Sequence, residues 1–192
     1  MNHLYEQLTA LKLTGFRDAL KKQLAQPGTY QELGFEERLS LLTAEELTCR
    51  ENRKAERLIK HARFRLNAEL SKLDYRNNRG LDRALIRSLS QGNWLTLKQN
   101  ILLTGATGSG KTFLACALGH NACRQGYKVY YYRLKALMEQ CYQGHADGRY
   151  SKLLTRLNNS DLLLLDDWGL EPLSSEQRSD LLEIVDLMYQ RG

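Results

Sequence analysis

No stretch of this chain stays apolar long enough to cross a membrane. A helical span needs about 18–20 consecutive apolar residues, and polar or charged side chains interrupt every run well before that. The opening residues, Met1-Asn2-His3-Leu4-Tyr5-Glu6, lack the basic and apolar regions of a secretion signal, so a cytoplasmic location without a membrane partner is expected. Cysteine is scarce. Cys49, Cys116, Cys123 and Cys141 form no C-x-x-C pair, which leaves neither a zinc ribbon nor a dithiol redox motif. Cys116, His120 and Cys123 stand at spacings of four and three, on one face of a helix. A metal there needs a fourth ligand from elsewhere, and that face must also pack on a sheet; small buried core residues are the expected reading. Internal repeats and low-complexity segments are absent.

What the chain does have is lopsided charge. Its 192 residues include 28 Lys/Arg and 22 Asp/Glu, a net charge of +6, in an otherwise ordinary globular composition. That length suits one domain with a smaller appendage. Residues 1–49 hold five Lys/Arg against seven Asp/Glu, residues 91–192 eleven against ten, and residues 50–90 twelve against five. The whole excess lies in the middle stretch, as expected of a surface for an anionic partner.

The first 95 or so residues read as helical, and the remainder alternates strand with helix. Leu4, Leu8 and Leu11 form one short apolar stripe and Phe16, Leu20 and Leu24 another, with Thr14-Gly15 expected to separate two helices. Gln26-Pro27-Gly28 stops the second. A longer helix is expected from about Phe35 to about Leu66. In its second half Ala55, Leu58, Ile59, Ala62 and Leu66 fall on one side, and Arg50, Arg53, Arg57 and Lys60 on the other. A solvated helix face has a similar composition, but Glu51 and Glu56 lie off the stripe's centre, which favours contact with a nucleic-acid backbone.

Asn77–Gly80 reads as a turn, followed by a helix carrying Leu81, Leu85, Ile86 and Leu89 and broken by Gln91-Gly92-Asn93. Alternation then begins with a strand at Asn100–Thr104, a helix over Lys111–Arg124 and a strand at Lys128–Tyr132. Helices near Leu134–Tyr142 and Ser151–Leu157, separated by Gly144–Gly148, lead to a strand at Leu162–Leu165. A last helix presents Leu181, Ile184, Val185 and Met188. The expected organisation is a helical N-terminal domain over 1–68 for DNA or partner contact, a helical linker over 69–98, and an α/β core over 99–192.

The chemistry lies in Gly105-Ala106-Thr107-Gly108-Ser109-Gly110-Lys111-Thr112, a complete Walker A loop between a strand and a helix. Its glycines let the backbone curl so that successive N–H groups point at a nucleotide's phosphates, and the helix beginning at Lys111 adds its positive end. The Lys111 ammonium bridges the β- and γ-phosphates, and the Thr112 hydroxyl ligates Mg²⁺. ATP and Mg²⁺ are the expected ligands. Leu162–Leu165 followed by Asp166-Asp167 completes a Walker B strand, with Asp166 holding Mg²⁺. Asp167 occupies the position where many such ATPases place a glutamate to activate water; a turn or helix cap is its structural alternative.

Together with the basic helical N-terminal part, Gly105–Thr112, Asp161-Leu162-Leu163-Leu164-Leu165-Asp166-Asp167-Trp168-Gly169 and Arg79-Gly80-Leu81-Asp82-Arg83-Ala84-Leu85-Ile86 resemble the IstB/DnaC-like branch of the AAA+ ATPases. The resemblance covers essentially the whole chain and is closer on the IstB side, the ATP-binding helpers of insertion-sequence transposition. It implies an AAA+ type P-loop NTPase, a parallel sheet with flanking helices after an all-helical N-terminal domain. It also implies ATPase activity, ATP-dependent self-assembly into a homo-oligomer on DNA, and control of a transposase; the DNA contact is expected to be largely independent of sequence, since no compact module with base-reading side chains is recognisable. DnaC relatives load the replicative helicase instead. Such ATPases carry a sensor strand, an arginine finger and often a second sensor after Walker B. This sequence reaches Gly192 one helix beyond it, so the core is expected to be incomplete at its C-terminus, and neither Arg178 nor Arg191 is assigned those roles.

A small-molecule or nucleotide kinase shares the P-loop but needs no basic helical preamble. Strand order separates the two. A Walker B strand beside the P-loop strand marks the kinase, and an intervening strand marks AAA+. A non-hydrolysing ATP switch is a third class.

Overall fold

The computed structural model describes residues 2–75 and 81–189; the turn expected at Asn77–Gly80 lies outside them. The chain divides into two compact units, residues 1–55 and 56–192, with the boundary inside one long helix.

The first unit contains α1 (Asn2–Ala10), α2 (Thr14–Ala25), α3 (Pro27–Tyr30) and the first part of α4 (Phe35–Ala62). The break between α1 and α2 falls at residues 11–13, where Lys12 takes φ 59°, and not at Thr14-Gly15. Gly15 lies inside α2 for a packing reason. A Cβ there would stand 2.7 Å from Cys49 Cβ and 2.9 Å from the Glu45 carbonyl, so only glycine lets α2 meet α4 this closely. The start of α2 lacks a side-chain cap of its own. Buried Glu46 on α4 reaches across instead, accepting from the Phe16 N–H at 3.1 Å and from Arg50 Nε at 2.7 Å. A carboxylate among the free N–H groups of a helix start meets the positive end of the helix dipole. The bond from Arg50 outweighs burial and holds the Glu46 carboxyl below its ordinary pKa.

α4 ends at Ala62, short of Leu66, because Arg63 turns into the left-handed region at φ 56°. Ala55 and Ala62 are buried as the periodicity expects, whereas Leu66 remains 39% exposed.

In the second unit come α5 (Arg83–Ser90), α6 (Asn93–Thr96), α7 (Lys111–Arg124), β1 (Val129–Arg133), α8 (Leu134–Asp147), α9 (Tyr150–Asn158), β2 (Leu162–Asp166) and α10 (Ser175–Tyr189). Asp82 caps α5 by accepting from the Ala84 N–H. β1 and β2 pair in parallel, with Val129 beside Leu162 and Arg133 beside Asp166. Because side chains alternate along a strand, the pair divides its residues between two helical layers. Val129, Tyr131, Leu162 and Leu164 pack toward α7, and Tyr132, Leu163 and Leu165 pack on Leu134, Leu137, Met138, Leu153, Leu157 and Ile184 of α8–α10. Fully burying an aliphatic side chain such as Leu137 or Ile184 contributes about 1.5–3 kcal/mol.

Two expectations need correction here. α8 runs through Gly144 to Asp147 and ends at Gly148, so Gly144 is no break; a Cβ there would stand 3.0 Å from the Tyr150 backbone, which is how α8 and α9 come together. Asn100–Thr104 does not form the expected strand. Ile101 and Leu103 rest on Ile86, Leu114 and Leu118 while Leu102 is 84% exposed, a strand-like alternation without a ladder. A strand exists through its partner, and among the described residues β1 and β2 pair only with each other. The acidic strand therefore does not lie paired beside the segment leading into the loop.

Candidate nucleotide site

Residues 105–110 form an irregular turn that delivers Lys111 and Thr112 as the first residues of α7. Gly108 has φ 78° and Gly110 φ 95°, conformations that strain any side-chain-bearing residue. Around Gly108 a Cβ would meet nothing within 4 Å, so conformation alone selects glycine there. Lys111 Nζ donates to the carbonyls of Gly105 and Ala106, both at 2.8 Å, which holds the ammonium over the loop. Gly105, Ala106, Thr107, Gly108 and Ser109 are all exposed, leaving the loop open to a ligand.

The ends of α7 and β2 converge. Thr112 Oγ1 donates to Asp166 Oδ2 at 2.9 Å across 54 residues of sequence. The Tyr131 hydroxyl donates to the same oxygen at 2.7 Å, and the Asp167 N–H donates to Asp166 Oδ1 at 2.9 Å. Burial pushes the Asp166 carboxyl up, but these donors, with the Arg65 charge, outweigh it and hold the group below its ordinary pKa. The acid thus remains an anion. Burial, and then the bond to Asp166, pushes the Tyr131 phenol well above its ordinary value, which keeps it a donor.

Asp167 takes a left-handed backbone at φ 58°, unusual outside glycine although aspartate tolerates it better than most. Its Oδ2 accepts from Arg133 Nε at 2.6 Å and faces Arg65 Nη1 at 3.8 Å. Thr112, Asp166 and Asp167 are thus brought together, with Lys111 beside Thr112 at the start of α7. Tyr131, Arg133 and Arg65 were not foreseen. The pairing of β1 with β2 was the signal that would have found two of them, since it sets Arg133 opposite Asp166 and Tyr131 two residues behind.

Of the basic stripe, Arg50 and Arg53 lie in the first unit and Arg57 and Lys60 in the second; all four are exposed. Arg50 is engaged by Glu46, an acid that the reading of the stripe left out.

Cys116, His120 and Cys123 are core residues. Both cysteines are fully buried, each packed in a different apolar cluster. His120 lies against the Phe64 ring with centroids 4.4 Å apart, and burial pushes its pKa down. Among the described residues no group of three or more acids, histidines and cysteines is arranged to hold a metal, and no helix is long and apolar enough to cross a membrane.

Sequence comparison identifies relatives of this chain. A family model described as IstB-like ATP binding protein matches residues 6–192. A Pseudomonas fluorescens protein named for ATP binding in insertion sequence IS1162 is 46% identical over 185 residues, covering 96% of this chain and 80% of its own. The insertion-sequence ATP-binding protein y4pL of Sinorhizobium fredii is 41% identical over 186 residues, 97% of this chain and 76% of its own. A Mycobacterium tuberculosis protein named for ATP binding in an insertion sequence is 30% identical over 182 residues, 95% and 72% of the respective chains.

Proposed function

The chain belongs to the IstB-like ATP-binding proteins, and from that premise we propose that it is a DNA-binding, self-assembling ATPase that assists the transposase of an insertion sequence. The observation that carries the ATPase part is the convergence of Thr112 and Asp166 at 2.9 Å beside a loop topped by the Lys111 ammonium. Two hard oxygen donors this close suit Mg²⁺, which binds oxygen and sits between protein carboxylate and substrate phosphates. The Thr112 hydroxyl and the Asp166 carboxylate are the residues that would hold it. The bound cation would neutralise charge developing on the phosphates.

The remaining work belongs to the chain's own side chains. The N–H groups of residues 105–110 receive the phosphate oxygens. The Lys111 ammonium leaves the Gly105 and Ala106 carbonyls for the β- and γ-phosphates. Asp167 orients and deprotonates the attacking water; both of its guanidinium contacts use Oδ2, and Oδ1 is the oxygen assigned to the water. Arg53, Arg57 and Lys60 contact DNA phosphates without reading bases, Arg50 joining them when it releases Glu46. This assigns nucleotide chemistry to residues 99–192, nucleic-acid or partner contact to residues 1–68, and a linking role to 69–98. The basic helical stretch ahead of the loop favours the AAA+ reading over the kinase, which needs no such preamble.

The test is DNA binding measured against salt, with and without Mg-ATP. Replacing Arg53, Arg57 and Lys60 together by Glu should weaken binding equally on unrelated sequences and flatten the log–log salt slope by about 0.9 per lost phosphate contact. Wild-type protein should coat or ring DNA under negative-stain microscopy only with ATP. An unchanged slope in the triple variant would reduce the stripe to a solvated face.

A further inference from the structure

We propose that Tyr131 is a positioning residue for the metal-binding carboxylate, so that β1 forms part of the cation site although it carries neither Walker element. The inference rests on the ATPase reading above and deepens it. Among the described residues the Asp166 carboxylate receives three hydrogen bonds. The Thr112 hydroxyl and the Asp167 N–H come from the two Walker segments themselves, and the third comes from the Tyr131 hydroxyl at 2.7 Å. A carboxylate's terminal torsion is broad and roughly two-fold, so its plane is set by what its oxygens accept.

Tyr131 is suited to fix that plane. It is 8% exposed and packed among Ala68, Cys116 and Ala117, so its ring cannot swing aside. Its strand is registered to β2 with Tyr131 beside Leu164, which places the phenol one side-chain repeat behind Asp166 on the same face of the sheet. The hydroxyl thus reaches Asp166 Oδ2 from within the core, and the carboxylate it orients would hold the cation. Thr112 donates to the same oxygen, and its hydroxyl would be a second oxygen ligand for the cation. This is the arrangement in which an outer partner orients a metal ligand, and loss of such a partner typically reduces metal affinity 10- to 100-fold.

Tyr131→Phe removes the hydroxyl and keeps the ring. The measurement is fluorescence of an N-methylanthraniloyl ATP analogue bound to the full chain, first in EDTA and then titrated with Mg²⁺, with a parallel Mn²⁺ titration followed by electron paramagnetic resonance. The expected result is unchanged analogue affinity in EDTA, with the midpoints for both cations raised about tenfold. A purely structural role would weaken the EDTA and metal-bound states alike, and that outcome overturns the proposal, as does an unshifted cation midpoint. Absence of Mg²⁺-strengthened analogue binding in the wild-type chain would instead sink the ATPase reading on which the proposal stands.

Discussion

Replacing Gly108 by alanine separates what the loop's shape contributes from everything else around it. Gly108 sits at φ 78°, and a Cβ there would touch nothing within 4 Å, so the substitution adds conformational strain without steric collision. An L-residue in this region costs about 1–2 kcal/mol. The loop is exposed and can relax when nothing is bound, so the strain falls mainly on the nucleotide-bound state. ATP affinity should therefore drop about 5- to 30-fold while the melting temperature barely moves. Gly148 is the matched control. It has φ 73° and equally empty surroundings, but it terminates α8 and has no part in the loop. Gly148→Ala should lower the melting temperature by about 2–4 °C per kcal/mol of strain and leave ATP affinity alone. Calorimetric titration with Mg-ATP and a thermal melt on both variants complete the comparison. Wild-type affinity in Gly108→Ala, or an equal loss of affinity in both variants, would refute the claim that this backbone shape is held for phosphate.

Three further substitutions probe the acids. Asp167→Asn should leave ATP binding intact and reduce turnover about 10²-fold or more, whereas Asp166→Asn should weaken Mg²⁺-dependent binding as well; a steady-state ATPase assay beside the titration shows whether the two part in this way. Glu46→Gln should destabilise the helical unit by about 1 kcal/mol at neutral pH, through loss of a charge-assisted bond to Arg50. Because the Glu46 carboxyl is held below its ordinary value in the fold, its contribution is present above that ordinary value and disappears as pH falls through the lowered one. Melts of wild type and variant should accordingly converge in acid, and a gap independent of pH would remove the charge argument.

Much of the site could be read directly because its parts are local. Gly105–Thr112 is contiguous, and its glycines, lysine and threonine have one joint use; Asp166 follows a short apolar run that reads as a strand and forms half-buried β2. Tyr131 was legible only as a strand residue and Arg133 lay one residue past the expected strand; their roles depend on which strand lies beside β2, and pairing is a property of the fold rather than of either segment. Gly15 and Gly144 were misread as breaks for a similar reason. Each is a place where another element comes within about 3 Å of a missing Cβ, and that neighbour is thirty residues away in one case and six in the other. Asn100–Thr104 has a strand's composition and alternation, but a ladder needs a partner that its own residues do not supply.

Nucleotide binding at the loop depends on its lysine. Calorimetric titration of Mg-ATP into the wild-type chain and into Lys111→Ala tests it most directly. Lys111 supplies the loop's single side-chain cation, and its ammonium is already poised over residues 105 and 106. Saturable binding by the wild type and none measurable by the variant is the expected pair of results. Equal affinity in the two would contradict the phosphate-cradle assignment.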